Sequence, residues 1–149
     1  MTEEAAQKIS KMNIPRVRLA YDLASEKKYV ERAINKLTKN GIKGRHILVY
    51  ALFNWTESPE EYLRRIIDIL RWGVVCYPMQ FQPCDTLEKN KYISPRWKKE
   101  QIDLLQSARR VIGYGGAFPP YKGSINKLGN DINFEEAFSL YPVNRTKKL

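Results

Sequence analysis

Cysteine and histidine are scarce in this sequence, and this limits the chemistry that the chain could carry out alone. It contains two cysteines, Cys76 and Cys84, and one histidine, His46. Two thiols and one imidazole are too few for a cysteine-rich zinc or iron–sulfur site. No Ser/His/Asp or Cys/His set stands out around His46, and no pair of acids does. We therefore predict no catalytic and no metal-ligating residues, with Cys76 buried and Cys84 more accessible.

Long apolar runs and a secretory leader are also missing. No run approaches the ~18 apolar residues needed to cross a bilayer. The first residues, MTEEAAQKIS, are acidic and polar, unlike the charged-then-apolar layout of a secretory signal. From these absences we expect no membrane partner and a cytoplasmic location.

Acidic residues are few relative to basic ones. The chain has 16 acidic and 26 basic residues, which give a net charge of +10. The surplus is spread along the chain, and its longest basic runs are pairs such as Arg109-Arg110. An even surplus is typical of a solvated surface suited to anionic ligands. A nucleic-acid interface is the sharper alternative, but no nucleic-acid-binding motif accompanies it.

Helical and strand patterns alternate along the first half of the chain. Apolar residues recur at helical spacing in three segments, and each segment is followed by a short run typical of a strand. Ser58-Pro59 marks a helix start, while Gly41 and Gly73 mark helix ends. Short connections between such units predict parallel strands and an α/β fold. The predicted order is helix 2–12, strand Arg16–Tyr21, helix Lys27–Asn40, strand His46–Phe53, helix Ser58–Gly73 and strand Val74–Met79.

The pattern changes after Pro83. A polar, irregular stretch leads to a predicted helix from Ser94 to about Arg110, with Val111 among its packing positions. The following GYGGAFPP is predicted to form a compact turn, because it lacks the ending of a phosphate-binding loop. Asn133 is predicted to cap a last helix, Phe134 to Leu140, before a frayed NRTKKL tail.

The candidate ligand-binding residues follow the predicted strands. Ligands of parallel β/α assemblies bind at the carboxyl ends of the strands, where loops and helix N-termini gather. Each strand end here combines aromatic surface with a hydrogen-bonding group, which suits a nucleoside-like ligand. The three clusters are Arg18, Tyr21 and Asp22; Tyr50, Phe53 and Asn54; and Tyr77, Gln80, Gln82 and Pro83. Structural alternatives stay open: Asp22 as a helix cap, Asn54 as a turn former, Arg18 as a surface residue and the rings as core.

Several stretches together resemble the later β/α units of radical S-adenosylmethionine (radical SAM) enzymes. These are RVRLAYD, VERAINKLTKNGI, HILVYALFNWTESPEEYLRRIIDILRWGV and YPMQFQP. KNKYISPRW and RRVIGYGGAFPPY are similar to a C-terminal extension of one subgroup. The resemblance implies a parallel, partial TIM-type β/α barrel, of which residues 1–84 form three or so units. Residues 85–149 would form a helical and irregular extension packed on it.

The resemblance also implies a cofactor, which this chain would contact while another chain holds the iron–sulfur cluster. Family members hold a 4Fe-4S cluster with a CxxxCxxC loop, and the cluster reduces S-adenosylmethionine to a hydrogen-abstracting radical. By resemblance, Arg18, Tyr21 and Asp22 would lie near its ribose or aminoacyl group. Tyr50, Leu52 and Asn54 would line its adenine side, with Gln82 near the adenine or substrate. CxxxCxxC is absent here, so the cluster would need cysteines from a partner chain.

We therefore expect a fragment or split subunit of a radical SAM enzyme, inactive alone and completed by an N-terminal half. The alternative is a non-catalytic interaction module. Three strands do not close a barrel, so the sheet would keep two open edges at which it could self-associate. A basic nucleic-acid binder is the weaker alternative.

Overall fold

A computed structural model describes residues 1–130 and 133–139, and within them the chain is an α/β protein. One parallel sheet of three strands is accompanied by six α-helices in this part of the chain. The strands are β1 (Val17–Ala20), β2 (Ile47–Phe53) and β3 (Val75–Gln80). The helices are α1 (Glu3–Lys11), α2 (Lys27–Lys39), α3 (Pro59–Arg71), α4 (Lys99–Val111), α5 (Lys122–Asn130) and α6 (Phe134–Ala137).

The helix boundaries in the first half follow from the capping residues. The Thr2 hydroxyl accepts the Ala5 N–H at the start of α1. Ser58 and Glu61 form a reciprocal capping box at the start of α3, with Pro59 in its first turn. Gly41 and Gly73 follow α2 and α3 with φ of +94° and +78°, a conformation that glycine adopts without steric cost. These predicted starts and ends are confirmed.

The strands lie in the order β1-β2-β3, and both pairings are parallel. Val17 lies opposite Ile47, and Leu48 lies opposite Val75. The predicted alternation of helix and strand is therefore confirmed, with strand bounds that shift by one residue at most ends. Sequential parallel strands bring all three carboxyl ends to one edge of the sheet.

The two faces of the sheet differ in their surroundings. One face, which carries Val49, Ala51 and Phe53, belongs to the single apolar core together with the buried stripes of α2 and α3. The alternate residues Tyr50 and Leu52 point to the other face and are only half-buried. We call this second face the open face. Its residues are Arg18, Ala20, Leu48, Tyr50, Leu52, Val75, Tyr77 and Met79.

The C-terminal part shares the core of the first half. Trp97 packs on Phe53 at a ring-centroid distance of 5.8 Å and on Phe134 at 5.4 Å. Among the described residues, Leu105, Phe118 and Leu128 belong to the same core cluster. The backbone of Phe118 also exchanges two hydrogen bonds, of 3.0 and 2.8 Å, with the backbone of Cys76 at the outer edge of β3.

Several predictions for the C-terminal part were wrong. Helix α4 begins at Lys99 instead of Ser94, because the Ser94 hydroxyl donates to the Trp55 carbonyl, 2.5 Å away, and is not a helix cap. Val111 is 66% exposed. Helix α5 was not predicted. Asn133 does cap α6, but that helix ends at Ala137; Leu140 and the tail lie outside the described residues.

The predicted turn at GYGGAFPP is confirmed. Tyr114 and Ala117 form an antiparallel bridge, and the two glycines between them have positive φ. Within residues 1–130 and 133–139, no helix is long and apolar enough to cross a membrane.

Candidate functional site

The carboxyl ends of the three strands carry a network centred on Arg65. This arginine lies on α3 and is 3% exposed. Its Nη1 donates to the Tyr21 carbonyl and its Nη2 to the Leu52 carbonyl at 2.8 Å, while Nε lies 2.5 Å from a Glu57 carboxylate oxygen. One guanidinium therefore binds the carbonyl of Tyr21, just beyond β1, and that of Leu52, near the end of β2, and it also pairs with an acid. A buried charge that is this fully partnered holds the strand ends in a fixed arrangement.

Asp22 joins the same two strand ends from the other side. Its Oδ1 accepts the Leu52 N–H at 3.0 Å, and Glu26 accepts the N–H groups of Asp22 and Leu23. Burial raises the pKa of the Asp22 carboxyl, although the hydrogen bond from Leu52 and the charge of Arg65 oppose this change. The side chain that caps the turn after β1 is thus Glu26, while Asp22 links β1 to β2.

Tyr21 lies on the core side of the sheet and is 1% exposed. Its hydroxyl donates to the Asp68 carboxylate at 3.3 Å, and its ring packs on Trp72 at a centroid distance of 5.5 Å. Burial, and then the negative charge of Asp68, raise the pKa of the Tyr21 hydroxyl. The structure therefore places this ring among the helices, away from the open face.

Asn54 connects the end of β2 to the segment that precedes α4. It is fully buried and has a φ of +61°, a left-handed conformation that asparagine tolerates better than most residues. Its amide donates to the Tyr92 carbonyl at 2.8 Å, and its Oδ1 accepts the Ser94 N–H at 2.7 Å. Both contacts are internal, so Asn54 fixes the path of residues 92–94.

Arg18, Tyr50 and Leu52 share the open face. Tyr50 contacts Tyr77 of the neighbouring strand edge to face, with centroids 5.4 Å apart. Arg18 is exposed, and Tyr50 and Leu52 are half-buried. These side chains offer aromatic surface and a positive charge to a ligand that lies on the open face.

Gln82 lies beyond β3 and closes a loop. Its side-chain amide donates to the Asn90 side chain at 3.0 Å and accepts the Asn90 N–H at 3.1 Å. Arg65 therefore links Tyr21 to Leu52, Asp22 binds Leu52 directly, and Gln82 lies apart at the base of the 83–90 loop.

The side chains present do not fit an iron–sulfur cluster. Cys76 is buried within β3, and this burial raises the pKa of its thiol to about 12, which disfavours the thiolate that binds iron. Cys84 is exposed. In the described part of the chain, no group of three His, Cys, Asp or Glu side chains could hold a metal ion.

A groove with a volume of about 720 Å³ lies beside the carboxyl end of β3. It lies between the segment 90–93 and α4. Arg109 lines it and lies over the ring of Tyr77, 4.9 Å from the centroid. We call it the basic groove, because it is lined by Lys91, Lys99, Arg109 and Arg110 against one acid, Asp103.

Two of these features were missed from the sequence. Arg65 falls between Tyr62 and Ile69 on the apolar stripe of α3, and a charge at a stripe position is a signal of a buried, partnered group. The role of Arg109 had no such signal, because it depends on contacts with Tyr77 and Gly116 that only the fold creates.

Searches against protein-family models, curated proteins and solved structures found no match to this chain.

Proposed function

We propose that this chain forms the cofactor- and substrate-facing part of a radical SAM partial β/α barrel, whose cluster is held by cysteines outside these 149 residues. The observation that carries the proposal is the one-sided sheet. Three parallel strands in sequential order contribute one face to the core, and the residues of the other face are half-buried or exposed, apart from Leu48, which is buried. In a β/α barrel the helices form the outer ring and the second face of each strand lines the interior.

The edges of the sheet support the same proposal. The Tyr21 N–H donates to the Tyr50 carbonyl at 2.8 Å, so the alternate residues Arg18 and Ala20 direct their backbone groups away from β2. The outer edge of β3, in contrast, already pairs with Phe118 through the backbone of Cys76. A preceding barrel strand would therefore add to β1.

S-adenosylmethionine would lie on the open face in this proposal. Tyr50 would offer its ring to the adenine, Leu52 an apolar wall, and Arg18 a positive charge to the methionine carboxylate. Asp22, Tyr21 and Asn54 would act from behind this surface, because they fix the strand ends and the segment 92–94. With a reduced cluster, S-adenosylmethionine would supply hydrogen-abstracting chemistry, and the residues of this chain would bind and orient it.

Nuclear magnetic resonance of the ¹⁵N-labelled chain titrated with S-adenosylmethionine tests the binding step. We expect concentration-dependent shifts in the amides of β1 and β2, which Tyr50→Ala weakens severalfold. Tyr29→Ala, at a tyrosine that is 72% exposed on α2, is the matched control and should leave the titration unchanged. Shifts confined to the helices, or no shifts at millimolar ligand, would contradict the proposal.

The catalytic step requires a second component. The chain would be combined with a polypeptide that carries a reconstituted CxxxCxxC cluster, and release of 5′-deoxyadenosine would be measured under reducing conditions. Release that depends on both components is expected. Absence of product from every reconstituted pair would count against a split enzyme.

A second candidate function is an interaction module, and the open edge of β1 favours it. Light scattering after size-exclusion chromatography would show a dimer. Ala20→Pro should abolish that dimer, because it removes an outward N–H and leaves the bonds to β2 intact. A monomer at high concentration would contradict this candidate.

A further inference from the structure

The basic groove brings four cationic side chains to one concave surface. Its lining also includes the apolar side chains of Tyr92, Ile93 and Ile102 and the amides of Gln80 and Gln106. A volume of about 720 Å³ lies within the ~300–1,000 Å³ range of small-molecule sites. Apolar walls with a few convergent polar groups are the usual composition of such sites.

Arg109 is held in place at this groove. Its Nε donates to the Gly116 carbonyl at 2.8 Å, and its Nη1 donates to Gln106 Oε1 at 2.9 Å. Gln106 in turn donates to Gln80 Oε1 at 3.1 Å, which ties α4 to the end of β3. With its face on the Tyr77 ring, the guanidinium has a fixed orientation while Nη2 makes none of these bonds. A fixed guanidinium loses little entropy when it binds an oxyanion.

The other three cations can turn toward a ligand. Lys91 pairs with Glu88 at 3.5 Å and Lys99 with Asp103 at 3.7 Å, but these are exposed pairs and contribute little to stability. The side chain of Arg110 is exposed and has no hydrogen bond or ion pair with any described residue. All three could therefore contact an anion without the loss of a stable interaction.

We propose that the basic groove is a binding site for a small anionic molecule that carries a phosphate or carboxylate group. Arg109 is its fixed anchor, and Arg110 with the two lysines completes the cationic surface. The four cations line one concave groove, and this favours a small anion over a nucleic acid, whose backbone requires cations arranged along a surface. This site lies beside β3 and does not depend on S-adenosylmethionine binding at the open face.

The test is titration of the chain with inorganic pyrophosphate, citrate and a single-stranded oligonucleotide at low salt, followed by nuclear magnetic resonance. We expect pyrophosphate or citrate to shift the amides of residues 90–93 and of α4; the stronger of the two identifies the anionic group. Arg110→Gln should weaken binding severalfold and Arg109→Gln about tenfold. Arg32→Gln, on the exposed face of α2, should change it less than about twofold.

Three results would overturn the proposal. One is the absence of shifts with either small anion at tens of millimolar. Another is binding that Arg110→Gln leaves unchanged; this variant decides the matter if Arg109→Gln does not fold, since Arg110 has no contact to lose. The third is oligonucleotide binding with shifts spread over the surface and a steep salt dependence, which would identify a nucleic-acid interface.

Discussion

The two faces of the sheet are made from neighbouring residues of the same strands, yet they have different surroundings. Ala51 and Phe53 are buried against the helices, while Tyr50 and Leu52 lie half-buried on the open face. We call the face that carries Val49, Ala51 and Phe53 the sealed face. Polar groups with hydrogen-bond partners, above all Arg65, lie at its margin. On the open face, the aromatic and charged groups remain accessible.

Because side chains alternate between the two faces of a strand, some candidate residues support the fold and others are available to contact a ligand. Among the predicted ligand residues, Tyr21 lies on the sealed side and Arg18 on the open side of one strand. Residues that look equivalent at a strand end therefore have different roles. Variants on one face only test whether the two faces contribute differently to stability.

Loss of Arg65 should have the largest effect on the sealed face. Arg65→Met leaves Glu57 and two backbone carbonyls without their partner, and we expect unfolding free energy to fall by about 3–5 kcal/mol. Arg64→Met is the matched control on the exposed side of α3 and should change it by less than about 0.5 kcal/mol. Urea denaturation measures the unfolding free energy of both variants. Equal losses for Arg65→Met and Arg64→Met would contradict the role of Arg65 as a buried, partnered charge.

Asn54 comes next, because it joins β2 to the segment before α4. Asn54→Ala removes two buried hydrogen bonds and places alanine at a φ of +61°, and we expect a loss of about 2–4 kcal/mol. Asn54→Gly keeps the backbone conformation and loses only the bonds, so its loss should be smaller. Equal unfolding free energies for the two variants would contradict a cost of the left-handed backbone conformation at residue 54.

A pair of valines compares the two faces directly. Val49 is fully buried on the sealed face, and Val75 is half-buried on the open face. Val49→Ala should cost about 2–3 kcal/mol from lost burial and a cavity. Val75→Ala should cost about 1 kcal/mol or less, because less apolar surface is lost from the core. Equal losses in urea denaturation would mean that the open face is packed as tightly as the sealed face.

The smallest expected effect is a pH dependence at Asp22. Its carboxyl has a folded pKa above the ordinary value of 3.8, so the protonated form is favoured in the fold. The stability that the protonated Asp22 carboxyl contributes is fully present below pH 3.8 and is lost as the pH rises through the folded pKa. Asp22→Asn resembles the protonated form, so its stability relative to wild type should increase between pH 3 and 7. Urea denaturation across this range checks the sign, and a decrease would contradict it.

The sequence was sufficient to predict the units that depend on local chemistry. Alternation of helix and strand, and caps such as Ser58 and Gly73, act within a few residues, and these elements formed as predicted. Asn54 follows β2 as predicted, whereas Arg18 is the second residue of β1 and Tyr50 is the middle residue of β2, so neither lies at a strand end. The family assignment and the ligand contacts stay predictions.

Where prediction failed, tertiary contacts outweighed local preference. Ser94-Pro95 has the local chemistry of a helix start, but Ser94 bonds instead to Asn54 and Trp55. Helix α5 contains Gly123 and Gly129, which disfavour a helix, and it packs on α3 through Leu128, which is fully buried. Such contacts join residues far apart in the chain, so no local pattern could have indicated them.

The backbone pairing of Phe118 with Cys76 makes the sheet unequal at its two margins. On β3 the next outward-facing position is Pro78, which has no N–H to donate, so a further strand would find few partners there. Among the described residues, the β1 margin therefore offers the free backbone groups that a further strand needs. Two copies that pair through their β1 margins leave no such margin free, so self-association through strands would end at a dimer and could not propagate into a fibre.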